Sequence, residues 1–349
     1  MDERRVQLVG QSTFVVSLPK DWADAVGIKR GSRVQMTPTV DGSLMVQPVR
    51  PKPAPREIEV DGRELTGPGH LTRRLVSLYL LGATLVRVTL PEGLSPALRR
   101  AVRDFPHMVI GPHILEEDAR SFVLQDLADA SQVPMDKGLR RMHLIVRSML
   151  QDALTAVRTQ DRELARDVVL RDADVDRLQW LLRKEHLTVL EDVTIAQRLG
   201  TTPVLSFHLA EAARTLERIG DHAENIAKAA VDLGSTPLPP PVLDALTPLE
   251  SIALSALETA TDALFKEDER RANAAIERAE ELHRAHQRYA LRIRRLRGRP
   301  ALAGMAIGES LRRTGLYAAD LGETAMDLCA AKGAMAGGRA APESPRNRS

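Results

Sequence analysis

The chain has 349 residues, with 49 Lys and Arg against 47 Asp and Glu, so its formal net charge is +2. That charge is too small to indicate nucleic-acid binding by the whole chain, and such a function needs a local basic patch. The single cysteine, Cys329, excludes an internal disulfide and a thiolate zinc finger. The most apolar run, Val76 to Val86, is too short to span a bilayer, and no apolar signal core follows Met1. We therefore expect a cytoplasmic protein of two or three domains without membrane insertion.

Residues 1–50 predict a small β-rich module with one short helix. The strand candidates are Arg5–Val9, Ser12–Leu18, Arg33–Val40 and Ser43–Pro48, with a helix over Lys20–Val26 and a hairpin signal at Asp41-Gly42. So small a unit has little core of its own, so we expect a second copy to complete it in a homodimer. The cations placed to reach DNA phosphates are Arg4, Arg5, Lys20, Lys29, Arg30 and Arg33.

Three pieces of this module carry a family pattern: G-Q-S-T-F-V-V-S-L-P-K-D-W at Gly10–Trp22, G-I-K-R-G-S-R-V at Gly27–Val34, and D-G-S-L at Asp41–Leu44. Together they resemble the AbrB/SpoVT family of swapped-hairpin transcription regulators. The resemblance implies an intertwined dimer that presents basic loops to DNA. The alternative is that this module serves only to dimerise the protein, and that its charges only keep the module soluble.

The next segment predicts a small α/β domain over residues 57–128, after a linker at Arg50–Arg56 with three prolines. Its strand candidates are Glu57–Val60, Leu85–Leu90, Met108–Ile114 and Ser121–Leu124, and its helix candidates are His70–Leu81 and Ser95–Asp104. It has no glycine-rich phosphate loop, and its role is not indicated.

From Asp136 onwards the pattern is helical and occurs twice. Residues 136–234 predict helices over Asp136–Arg158, Leu164–Leu199 and Pro203–Leu233; residues 243–332 predict them over Pro248–Lys266, Glu269–Leu296 and Ala301–Ala331. The order Arg214-Thr215, Asp221, Glu224 returns as Arg313-Thr314, Asp320, Glu323, which indicates a tandem duplication of three-helix bundles. Four prolines in Ser235–Val242 mark the joint, and residues 333–349 predict a disordered tail.

The third helix of the first copy has an acidic stripe opposite an apolar one. Glu217, Asp221, Glu224 and Asn225 share one face of the helix. Their oxygens could bind a hard metal ion or form a polar surface that a partner contacts. The alternative is the solvated face of an ordinary bundle helix.

The run L-E-R-I-G-D-H-A-E-N-I at Leu216–Ile226 resembles the signature of the PhoU family of phosphate-response regulators. The resemblance implies two pseudo-symmetric bundles whose acidic motifs hold a divalent metal or an iron or zinc cluster, or face a partner. By position, Glu217, Asp221 and Asn225 take that role. In the second copy Asp320 is retained with Glu323, while Leu316 and Thr324 replace the other two. The α/β domain looks like the connector between the two families in archaeal fusions.

The sequence therefore predicts a multidomain α+β protein: a swapped-hairpin β domain, a small α/β connector and tandem three-helix bundles. We expect a DNA-binding transcriptional regulator of phosphate uptake and homeostasis, acting at the promoters of phosphate uptake genes and sensing phosphate status through a metal or partner protein. The alternative is a non-DNA-binding adaptor that negatively regulates a phosphate ABC transporter or sensor kinase; a third is an assembly scaffold. An enzyme is not expected, because Glu280 and His283 form the one Glu-x-x-His pair where a di-iron oxidase needs two.

Overall fold

The computed structural model describes residues 3–38, 43–49, 56–128 and 134–337. It divides into two compact units, one of residues 1–54 with 335–349 and one of residues 55–334. Within the described ranges, no helix is both long and apolar enough to cross a membrane.

The N-terminal unit contains two hairpins and a short helix. In chain order its elements are β1 (Gln7–Val9), β2 (Thr13–Val15), α1 (Lys20–Ala25), β3 (Val34–Pro38) and β4 (Leu44–Pro48). β1 pairs antiparallel with β2, and β3 with β4. All five lie within the segments the sequence predicts, and the expected Asp41-Gly42 turn lies outside the described residues.

The described part of this unit has almost no buried interior. Thr37 is its one buried residue, whereas Phe14 is 75% exposed, Val6 64% and Leu8 57%. Two-stranded hairpins are at best marginally stable alone. Because the apolar side chains of these strands are exposed, the hairpins lack the packing that would stabilise them.

The larger unit begins with a four-stranded mixed sheet and two helices. Its elements are β5 (Glu57–Asp61), a one-turn 3-10 helix (Gly62–Glu64), α2 (Pro68–Leu80), β6 (Leu85–Thr89), α3 (Pro96–Met108), β7 (Pro112–Glu117) and β8 (Ser121–Asp126). The strand order is β5-β6-β8-β7, with β5 parallel to β6 and the other pairs antiparallel. Leu71, Val88, Val102 and Phe122 are fully buried in its core. The predicted strand Met108–Ile114 is wrong at its start, because α3 continues through Pro106 to Met108.

Seven helices follow: α4 (Met135–Thr159), α5 (Arg162–Glu191), α6 (Val193–Arg198), α7 (Pro203–Leu233), α8 (Pro240–Lys266), α9 (Glu269–Ile293) and α10 (Gly298–Gly337). They enclose one continuous apolar core that extends from Met135 to Leu328 and includes Leu154, Leu216 and Leu257. The bundle is therefore a single packed body.

The two helical copies share the same first corner. Gln160 and Glu267 both have left-handed backbone, with φ of 57° and 55°. The following residues, Asp161 and Asp268, both cap the next helix through a side-chain oxygen, which accepts two backbone N–H hydrogen bonds at Asp161 and one at Asp268. These matched pairs lie 107 positions apart, which supports the duplication.

Three helix limits of the bundle differ from the prediction by more than five residues. The helix expected to reach Leu199 stops at Glu191, because Asp192 is extended and α6 begins separately. α8 starts at Pro240 instead of Pro248, because prolines in a first turn sacrifice no helical hydrogen bond. α10 continues to Gly337, so the predicted disordered tail is wrong for residues 333–337, and residues 338–349 lie outside the described part.

Candidate functional site

Two helices of the first bundle bring five half-buried carboxylates towards each other. α7 carries Glu217, Asp221 and Glu224, and α5 carries Asp172 and Asp176. Burial, followed by the negative charges of the other four, raises the pKa of Asp172 to about 7. We call these five residues the acidic cluster.

The same causes act on the other members of the acidic cluster. Burial and the charge of Asp221 raise the pKa of Glu217 to about 7. Burial and the charges of Asp221 and Glu224 raise that of Asp176 to about 6. Glu224 differs, because the ammonium of Lys228 lies 2.5 Å from one of its carboxylate oxygens. The cluster therefore concentrates negative charge that its surroundings only partly neutralise.

Such a cluster can take up either protons or a cation. Its donors are all carboxylates, which suit hard divalent ions such as Mg²⁺ or Mn²⁺ better than a zinc or iron–sulfur centre. Among the described residues, however, no three His, Cys, Asp or Glu side chains form a ready-made metal-binding group. The donor chemistry fits a hard cation, but binding would require the carboxylates to move closer together.

The structure separates the residues that the sequence proposed as metal ligands. Glu217 and Asp221 belong to the acidic cluster. Asn225 is exposed and lines a different groove, between α7 and α10, together with His222 and Ser310. Asp320 and Glu323 are exposed on α10, and the positive charge near Asp320 is Arg218.

Sequence reasoning missed Asp172 and Asp176. Their spacing of four residues on one helix is the same as that of Glu217 and Asp221, and this was the available signal. In the second copy, the positions that follow them by 107 residues are Ala279 and His283, and Leu316 replaces Glu217. The acidic cluster is thus a feature of the first bundle.

The predicted DNA contacts lie at the surface of the N-terminal unit. Arg4 and Arg5 precede β1, Lys20 opens α1, and Arg33 precedes β3; Lys29 and Arg30 lie in the loop between α1 and β3. All six are exposed. The Ser32 hydroxyl accepts a hydrogen bond from the Lys29 backbone N–H at 2.9 Å, which tightens that loop.

By fold, the helical region belongs to the class of paired three-helix bundles. It is similar to the crystal structure of PhoU from Pseudomonas aeruginosa, with a TM-score of 0.52 at 20% identity, over 58% of this chain and 99% of that one. At that identity the likeness shows a shared fold.

Family models match two segments of the chain. Residues 139–230 match the PhoU domain, and residues 7–54 match "Antidote-toxin recognition MazE, bacterial antitoxin". The chain therefore contains a PhoU domain, which includes both helices of the acidic cluster, together with an N-terminal domain of the MazE/AbrB-like class. The resemblances found in the sequence are confirmed at this level.

Curated relatives match the helical region. A "Phosphate-specific transport system accessory protein PhoU homolog" of Xylella fastidiosa is 31% identical over 133 residues, 38% of this chain and 52% of that one. The protein of the same name in Caulobacter vibrioides is 33% identical over 96 residues, 27% and 38% of the two chains. The chain thus spans about half of the length of the first relative and less than half of the second.

Proposed function

We propose that this protein is a dimeric, DNA-binding regulator of phosphate transport genes. The observation that carries the proposal is the N-terminal unit: a MazE/AbrB-like module with six exposed cations, exposed apolar strands and almost no interior. The link to phosphate is supported by the PhoU domain and by the names of its curated relatives.

Dimerisation follows from the exposed strands. Burying a side chain such as Phe14 or Leu8 contributes about 1.5–3 kcal/mol, and neither is buried within one copy. A second module covering these strands would supply that energy and close the free edges of both hairpins. It would also bring two sets of cations onto one assembly, matching the two half-sites of a palindromic operator.

In this proposal the acidic cluster supplies the input to the regulator. In the proposed state with a divalent ion bound, Asp172, Asp176, Glu217 and Asp221 would provide its oxygen ligands, and the ion would neutralise charge between α5 and α7. Binding would therefore stabilise one packing of these two helices relative to another.

DNA binding is tested by fluorescence anisotropy with a duplex from the promoter region of its own gene, over a range of salt concentrations. The variant Arg5→Ala/Lys20→Ala/Arg33→Ala should bind at least about tenfold more weakly and show a shallower salt dependence, because fewer phosphate contacts release fewer counterions. The matched control is Arg73→Ala/Arg74→Ala/Arg100→Ala, which removes three exposed arginines of α2 and α3 and the same charge. Equal loss in both variants, or no binding by the native chain, would contradict the proposal.

A second candidate function is supported by the relatives' names, which describe transport-system accessory proteins. In that case the protein is an adaptor that contacts a phosphate ABC transporter or a sensor kinase, with the N-terminal module serving only to dimerise it. Cross-linking in cells would then recover the transporter ATPase or the kinase, while chromatin mapping under phosphate excess and starvation would show no enrichment.

A further inference from the structure

The second bundle carries a dense group of arginines at the end of α9. Between positions 288 and 299 the chain has six arginines and no acidic residue. All six are exposed: Arg288, Arg292, Arg294, Arg295, Arg297 and Arg299. No ion pair links any of them to a carboxylate within the described part of the chain.

Four of these arginines line one concave groove between α8 and α9. The groove has a volume of about 620 Å³, and its other lining residues are Ala245, Pro248 and Leu291. Arg288 and Arg292 lie one helical turn apart, and Arg294 and Arg295 follow where α9 ends at Ile293. We call it the arginine groove.

Stability of the fold does not account for the arginine groove. The dipole of α9 favours a cation in its last turn, such as Arg292. That benefit falls off within the last turn, so it does not account for Arg288, which lies five residues before α9 ends at Ile293. The first bundle also forms without such a group. Counting from the shared aspartate caps, the α5 positions equivalent to Arg288, Arg292 and Arg295 are Leu181, Glu185 and Thr188.

We propose that the arginine groove binds a small ligand that carries a chain of phosphate groups. Guanidinium groups bind phosphate oxygens through paired N–H donors, and four of them with no carboxylate partner can engage several phosphates at once. Such a chain occurs in inorganic polyphosphate and in nucleoside polyphosphates. The apolar residues beside the arginines give a nucleoside a surface to pack on, so both sources are tested.

The dimensions of the groove favour a small ligand over a macromolecule. Its volume lies within the range of about 300–1,000 Å³ that is usual for small-molecule sites. Duplex DNA presents a convex surface with phosphates spread along it, and a protein partner needs a contact area of about 1,000 Å² or more. The proposal is independent of DNA binding by the N-terminal unit, because no residue of the groove lies within residues 7–54.

The test is isothermal titration calorimetry of the full chain with tripolyphosphate, ATP and orthophosphate, in EDTA and about 150 mM salt. EDTA prevents a metal ion from bridging phosphate to the acidic cluster. The groove variant is Arg292→Gln/Arg295→Gln. Its matched control is Arg270→Gln/Arg284→Gln, which removes two exposed arginines of α9 that lie outside the groove.

The native chain and the control variant should bind tripolyphosphate at least about tenfold more tightly than orthophosphate, and the groove variant should lose about tenfold or more of that affinity. Equal affinity for ATP would show that the phosphate chain alone is recognised, and tighter ATP binding that a nucleoside also contacts the groove; both support the proposal. Equal losses in the two variants would show non-specific attraction. That result would overturn the proposal. So would a native protein that binds neither tripolyphosphate nor ATP more tightly than orthophosphate. A groove variant that weakens only duplex DNA binding would also overturn it and assign the arginines to nucleic acid.

Discussion

A buried glutamate in the first bundle allows a strong test of how its core is built. Along α5 the buried positions Val175, Leu178, Leu182, Glu185 and Val189 follow the helical repeat. Glu185 therefore occupies a core position. It is 0% exposed, and neither carboxylate oxygen has a hydrogen-bond partner.

Burial raises the pKa of Glu185 from 4.5 to about 8, although the neighbouring charge of Lys184 lowers it in part. The shift determines how stability depends on pH. Below pH 4.5 the carboxyl is protonated in both the folded and the unfolded state, so ionisation costs nothing. Between pH 4.5 and 8 only the unfolded chain releases the proton, so the free energy of unfolding falls as pH rises. At about 1.36 kcal/mol per pK unit, the loss reaches roughly 5 kcal/mol above pH 8 if the site stays dry.

The substitution Glu185→Gln removes this ionisation while nearly preserving shape. We expect native and variant proteins to be equally stable near pH 4. As pH rises, the free energy of unfolding of the variant should increasingly exceed that of the native protein, up to a plateau of roughly 3–5 kcal/mol above pH 8. Urea denaturation followed by far-ultraviolet circular dichroism measures this difference, because most of the helix lies in the larger unit. The control is Glu163→Gln on the same helix, whose native side chain is 82% exposed; it should change stability by less than about 0.5 kcal/mol at every pH.

Parallel pH profiles for the native protein and Glu185→Gln would refute this reasoning. So would a variant that is less stable than the native protein at high pH, since that result would mean that the ionised carboxylate has a stabilising partner.

Two further changes test other parts of the larger unit. In EDTA above pH 7, Asp172→Asn should raise the free energy of unfolding by about 1 kcal/mol, a figure reduced for the partial exposure of Asp172. This gain should vanish near pH 4, where the carboxyl is protonated in the folded state. Added Mn²⁺ should stabilise the native protein more than the variant, as measured by thermal denaturation. Gly315→Ala should lower stability by about 1–3 kcal/mol, because the new Cβ would lie 1.8 Å from Leu282 Cδ2. Gly333→Ala, whose Cβ would meet nothing within 4 Å, should instead be neutral or stabilise by up to about 1 kcal/mol in the same urea titration; equal effects of the two glycine substitutions would contradict the packing described.

Local signals fixed several elements from the sequence alone. The limits of α7 were predicted to the residue, because Thr202 caps its first turn, Pro203 suits that turn and Gly234 has the positive φ that ends it. The start of α8 was missed because a run of prolines usually breaks a helix, although at a first turn it does not.

The candidate site was predicted only in part, because it depends on packing between helices. The face of α7 that holds Glu217 and Asp221 follows from helical periodicity. Nothing in the local pattern shows that this face meets Asp172 and Asp176 of α5, or that Asn225 lines a groove with residues of α10. Glu185 lies at a position where the repeat of α5 predicts burial, but glutamate is almost never fully buried, so only the packed bundle shows that its carboxylate is enclosed without a hydrogen-bond partner.

The helix that bears Asp172 and Asp176 also reaches into the α/β part of the same unit. About 12 Å further along α5, Lys184 forms a buried ion pair with Asp126 of β8, and its ammonium lies 4.4 Å from the centre of the Tyr79 ring. α5 thus serves as a rigid strut shared by two layers of the molecule. A change of charge at Asp172 and Asp176 that tilts α5 would therefore also move Lys184 against the sheet, because both sites lie on the same continuous helix.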